Sequence, residues 1–138
     1  MATQPTVLND LVTMLICDDV QQSIRFYTDA LGFTVANRMD DVGKSGWASL
    51  NHGPVQIMLA SPDHGPPPHK VDGQYSQAIY YFYPEDVVAL RDSIVGKGHA
   101  VSDLRVSFYG MKEFDMLDPS GHILWFGQET DETSTVKD

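Results

Sequence analysis

Asp19-Val20-Gln21-Gln22-Ser23-Ile24-Arg25-Phe26-Tyr27-Thr28-Asp29-Ala30-Leu31-Gly32-Phe33 is the stretch that decides how this chain folds. Val20, Ile24, Tyr27 and Leu31 fall on one stripe of an α-helix. Asp19 supplies an N-cap, with Gln22 three residues on as its capping-box partner. Gly32 supplies the left-handed residue that ends the helix. Upstream, Leu11 to Cys17 is apolar on both alternating faces and reads as a buried strand. Downstream, Phe33 to Met39, Trp47 to Leu50 and Val55 to Ala60 read as three more strands. Asn51-His52-Gly53-Pro54 is the turn between the last two. The unit is therefore βαβββ.

The same unit is written a second time. Asp86-Val87 opens another helix 67 positions after Asp19-Val20, and Gly98 closes it 66 positions after Gly32. Ala78 to Tyr83 is the preceding strand, rich in Ile, Tyr and Phe. Pro84 to Val95 is the helix, with Val87, Leu90 and Ile94 on one face. His99 to Ser107, Met111 to Leu117 and His122 to Gly127 are its strands. Asp118-Pro119-Ser120-Gly121 is a turn with Pro and Gly where a turn wants them. The fold class is α+β, two βαβββ modules at about 8–60 and 75–128 within one domain of 138 residues. Residues 61–74, with four prolines, form a linker or lid. Residues 129–138 are polar and aperiodic, a frayed tail.

Hydrophobic residues make up 42%, enough for a core, and the net charge is −10. Such a surface repels nucleic acid and anionic membranes and tolerates a cationic ligand better than an anionic one. Cys17 is the single cysteine, so no intrachain disulfide forms, which fits a reducing compartment. The N-terminus shows no basic stretch followed by an apolar run, and no apolar run approaches a membrane span. The expected location is the cytoplasm.

The motifs resemble a known family. Asp19-Val20, Ser23, Phe26-Tyr27 and Leu31-Gly32-Phe33 are similar to the first helix of the glyoxalase/bleomycin-resistance/dioxygenase (vicinal oxygen chelate) superfamily. Asp118-Pro119, Gly121-His122 and the apolar run after them resemble its final hairpin. The resemblance covers about Leu11 to Gln128. It implies curved mixed sheet around a concave cavity, helices outside, and homodimers as a common state. It also implies, for many members, a divalent metal held by His, Gln or Glu from the first and last strand of each module.

Carried over residue by residue, those four metal positions are Val12, Met58, Ile79 and Trp125, and none is a hard-cation ligand. Sliding a strand by one residue brings in only Leu124, Phe126, Ile57 or Leu59. Gln77 is the one nearby donor, and one amide is not a site. His52, His64, His69, His99 and His122 read as solvated loop residues rather than ligands. We therefore expect no metal and no cofactor.

The concave face instead carries Val12, Met14, Gln56, Met58, Gln77, Ile79, Tyr81, Tyr83, Ile123 and Trp125, with Trp47 as a further ligand-binding candidate. This apolar and aromatic wall suits a flat or greasy organic molecule, or simply fills an interior. On Met111 to Leu117, Phe114 and Met116 fit the helix side, so Glu113 and Asp115 point into the concavity unless a bulge near Gly121 exchanges the faces. There they are counter-charges for a cationic ligand or a general base, with Tyr109 and Lys112 beside them. Cys17, at the end of a buried strand, reads as core rather than nucleophile. Three functions stay open: a metal-free protein sequestering a small organic molecule, an enzyme (lyase, isomerase or dioxygenase, metal-dependent or using Glu113 or Asp115), and a ligand-free dimeric scaffold.

Overall fold

A computed structural model describes residues 6–42, 45–64 and 78–135. The order is β1 (Thr13–Ile16), α1 (Val20–Asp29), β2 (Thr34–Val42), β3 (Ser45–His52), β4 (Val55–Ala60), a 3-10 turn (Pro62–His64), β5 (Ile79–Phe82), α2 (Val87–Gly96), β6 (Arg105–Val106), β7 (Met111–Leu117) and β8 (Ile123–Glu129). The architecture is α+β, two βαβββ modules, with two four-stranded mixed sheets ordered β1-β4-β3-β2 and β5-β8-β7-β6. No helix among the described residues is long and apolar enough to cross a membrane.

The repeat is visible in the pairing itself. Parallel β1 sets Met14 beside Met58, and parallel β5 sets Tyr81 beside Trp125, the same pair 67 positions on. Both helices start by the same device: Asp19 accepts from the Gln22 N–H and Asp86 from the Ala89 N–H. Gly32, at φ 77°, closes α1, and the Phe33 N–H reaches back to the Tyr27 carbonyl. The helical stripe Val20, Ile24, Tyr27 and Leu31 is buried, as are Val87 and Ile94 of α2. These residues join Leu15, Leu50, Leu59, Phe114, Leu124 and Phe126 in one core shared by both modules. Phe33 meets Phe82 across the modules.

The strand expected over His99 to Ser107 shrinks to the two residues of β6. Ser102 explains it: its hydroxyl accepts the Asp115 N–H, and its carbonyl accepts from Arg91 Nε, so these groups are diverted from a regular ladder. The tail is less frayed than expected. β8 runs to Glu129, and the Thr135 N–H donates to the Val106 carbonyl while Thr135 Oγ1 accepts the Val106 N–H. Of the linker, residues 65–74 lie outside the described residues, as do Gln77 and His69.

Candidate functional site

Burying one face of each sheet in the shared core leaves the other face outward. In the first module that outward face carries Met14, Trp47, Gln56 and Met58, with Val12 on the approach to β1. Met14 is 46% exposed, Val12, Trp47 and Met58 are half-buried, and Gln56 donates to Ser49 Oγ at 3.1 Å. In the second module the outward face carries Ile79, Tyr81, Glu113, Asp115 and Trp125. The β7–β8 register runs unbroken from Met111 to Leu117, and Gly121, at φ 89°, sits in the turn. No bulge exchanges the faces, so both acids lie on the side of Trp125.

Glu113 is the centre of this second face. It is only 1% exposed although the face is open. Tyr81 donates to its Oε2 at 2.6 Å and Tyr109 at 2.7 Å. Arg105 Nε stands 3.7 Å from Oε1. Arg105 also pairs with Asp115 at 2.8 Å and lies over the Trp125 ring, 4.8 Å from its centroid. Burial, and then the carboxylate it donates to, hold the Tyr81 hydroxyl far above the ordinary phenol range, and Tyr109 is raised by the same causes. Both phenols therefore remain donors at neutral pH. Glycine at 127 makes the arrangement possible, because a Cβ there would sit 1.9 Å from the Tyr81 hydroxyl oxygen. The register shows what the first module has in the same places: Trp47 opposite Ala60, with Met14 where Tyr81 stands. The sequence reading missed Arg105, whose partners depend on which β7 residues β6 happens to face.

A divalent ion does not fit here. Val12, Met58, Ile79 and Trp125 offer no hard donor, and among the described residues no three of His, Cys, Asp and Glu gather to hold a metal. The described histidine side chains do not converge. His52 packs on Phe33, His99 on Phe26 and beside Asp29, and His122 bonds the Ile16 carbonyl. His122 is 2% exposed, which corrects its reading as a solvated residue. Cys17 is fully buried, and burial pushes its thiol up to about 12, so it is no nucleophile at neutral pH.

A cleft of about 880 Å³ adjoins the second face, and of the residues expected on the concave face Gln56, Ile79, Tyr81 and Tyr83 line it. It opens between the β3–β4 hairpin (His52, Gly53, Pro54, Val55) and the β5–α2 junction (Tyr83, Pro84, Glu85, Asp86, Leu90), with Phe33, Phe82 and Phe126 deeper. The equivalent junction in the other direction is closed. There the β7–β8 turn docks on the β1–α1 junction through three bonds. Tyr27 donates to Asp118 Oδ2 at 2.7 Å, the Asp18 N–H to Ser120 Oγ at 3.0 Å, and His122 Nε2 lies 2.7 Å from the Ile16 carbonyl. His52 pairs with Val55 where Asp118 faces His122, so β3–β4 turns on two residues and β7–β8 on three. In the first hairpin His52 replaces Asp118, Val55 replaces His122, and Gly53-Pro54 offers no hydroxyl. Ile94 stands where Tyr27 does, with no hydroxyl to donate. The sequence carried a signal for this cleft, since the spacing of the two modules, 66 at Gly32 and Gly98, returns to 67 at Met58 and Trp125, which leaves the first hairpin one residue shorter.

The comparisons agree with this geometry. The family model described as Glyoxalase/Bleomycin resistance protein/Dioxygenase superfamily matches residues 10–126. No curated protein sequence matches the chain. Among solved structures, TioX from Micromonospora sp. ML1 is similar at TM-score 0.71 and 18% identity, over 86% of this chain and 97% of that one. TnmS3, an antibiotic binding protein from Streptomyces sp. CB03234, is similar at TM-score 0.69 and 19% identity, over 92% and 100%. Lactoylglutathione lyase from Agrobacterium tumefaciens is similar at TM-score 0.68 and 19% identity, over 91% and 96%. At these identities the structures speak for the fold alone. With its two βαβββ modules and a family match running through nearly all of both, the chain belongs to the glyoxalase/bleomycin resistance protein/dioxygenase superfamily.

Proposed function

We propose that this chain is a metal-free cytoplasmic protein that binds a small hydrophobic or cationic organic molecule on its outward sheet faces. The observation that carries the reading is Glu113, a carboxylate buried on an otherwise open face and held in place by two phenols and a guanidinium. With Asp115 and Arg105 the cluster sums to one negative charge, which complements a cation lying against Trp125. Its hydrogen-bonding capacity is largely engaged by Tyr81 and Tyr109, so proton abstraction from a substrate would first require a phenol to leave. That favours binding over base catalysis. The net charge of −10 argues against nucleic acid and anionic membrane as partners. The resemblance to an antibiotic binding protein supports the same class of function.

A second copy of the chain completes the site in this reading. Val7, Leu8 and Leu11 are 74%, 91% and 84% exposed on the approach to the edge strand β1, and Met14, Met39 and Ile79 are open on the sheet faces. Covering these residues in a homodimer would enclose the two faces. The expected mass in solution is then twice 15.3 kDa. Flat organic cations are expected to quench Trp125 fluorescence saturably, Glu113→Gln to weaken binding about tenfold, and Trp125→Phe to remove the signal. One tightly bound divalent ion per purified chain, or turnover of a bound compound that Glu113→Gln abolishes, would overturn the proposal in favour of an enzyme.

A further inference from the structure

We infer that the open junction between the β3–β4 hairpin and the β5–α2 corner is a second small-molecule site, adjoining the Glu113 face and sharing Ile79 and Tyr81 with it, that takes a flat organic cation. Its space has a structural cause. Among the described residues the three polar bonds that close the other junction have no counterparts here, and the hairpin is one residue shorter. The resulting cleft, about 880 Å³, is within the size range of pockets that hold drug-sized molecules. Its wall is aromatic, with Phe33 packed by His52 on one side and Tyr83, 77% exposed, on the other. Such rings attract a delocalised cation across their faces.

The charge at the rim sets the sign of the ligand. Asp86 is used as the N-cap of α2 and offsets the positive end of that helix. Glu85 then stands exposed at the mouth as a net negative charge. None of the described lining residues is Lys or Arg. Among the described lining residues an organic anion finds no cationic side chain and is repelled by Glu85, and a neutral aromatic gains nothing from Glu85.

Backbone amide shifts of the full-length protein, titrated with N-methylquinolinium and with 2-naphthoate as the anionic counterpart, test the assignment. Saturable shifts for the cation centred on Gly53, Val55, Glu85 and Leu90 are expected, with none for the anion. Glu85→Lys is expected to weaken the cation about tenfold. Val55→Trp fills the cleft from an exposed position and is expected to abolish these shifts. Should Val55→Trp fail to fold, the Glu85→Lys titration decides alone. Shifts confined to Trp125 and its neighbours, with none at Gly53, Val55, Glu85 and Leu90, would overturn this site while upholding the Glu113 face. Equal binding of 2-naphthoate, or no saturable shift at the cleft, would overturn it outright.

Discussion

The two modules share a plan, and the places where they differ are more instructive than the plan. Each has a hairpin facing the strand–helix junction of the other module. The β7–β8 hairpin is bolted down: Asp118 accepts the Tyr27 hydroxyl and, on its other oxygen, the N–H groups of Ser120 and His122. Among the described residues the β3–β4 hairpin has no counterpart of these bonds, and a cleft stands in their place. The outward faces differ in the same spirit. Glu113, Gly127 and Tyr81 form a polar centre where the first module has Trp47, Ala60 and Met14. With the shared core and one bolted junction holding the two halves together, the other junction is left open.

The largest effect is expected at the bolt. Asp118→Ala leaves the Tyr27 hydroxyl and the amides of Ser120 and His122 buried without their acceptor, at a cost of about 3 kcal/mol. His52→Ala, at the corresponding place in the other hairpin, removes a ring contact with Phe33 and is expected to cost less than about 1 kcal/mol. Urea unfolding of both variants checks the contrast, and equal losses would erase it. Next comes Gly127→Ala, expected to cost about 2 kcal/mol because Tyr81 must swing off Glu113. In a Tyr81→Ala background the same change should be nearly neutral, which a double-mutant cycle in urea reads directly.

Alkaline pH sharpens the contrast further. Burial, and then Asp118, hold the Tyr27 hydroxyl well above the ordinary phenol range, and burial raises Cys17 to about 12. Their counterparts in the second module, Ile94 and Pro84, carry no titrating proton. Above about pH 9 the unfolded chain releases protons that the folded chain retains, so stability falls as pH rises. Each group contributes up to about 1.4 kcal/mol per pH unit until its folded value is reached. Tyr27→Phe and Cys17→Ala should each flatten the fall of the urea midpoint between pH 9 and 11. Part of the slope should survive both, because Tyr81 and Tyr109 are raised in the same direction.

Local pattern carried much of this molecule, and long-range pairing carried the rest. The stripe from Val20 to Leu31, the Asp19 and Asp86 caps and the left-handed Gly32 follow from side-chain periodicity and backbone preference over a few residues. The outward face of Glu113 and Asp115 follows from strand alternation. Asp118 was legible as a turn residue, but its bond to Tyr27 spans 91 positions and depends on how two modules dock. Ser102 broke an expected strand because a side-chain hydroxyl competed with the ladder, which alternation cannot register. Arg105 took Glu113, Asp115 and Trp125 together only because a two-residue strand set its place against β7.

The smallest expected effect isolates one bond of the bolt. Ser120→Ala removes the acceptor for the Asp18 N–H, a donor at the β1–α1 corner, and is expected to cost about 1 kcal/mol. Gly53→Ala in the other hairpin should cost a similar amount for a different reason, because φ there is 55° and a side chain resists that conformation although the space is open. Unfolding curves alone would not separate the two. Amide hydrogen exchange would: the Asp18 amide should lose protection in Ser120→Ala and keep it in Gly53→Ala. If the Asp18 amide exchanges at the same rate in both, the serine is not part of what closes the junction, and the closure rests on Asp118 and His122 alone.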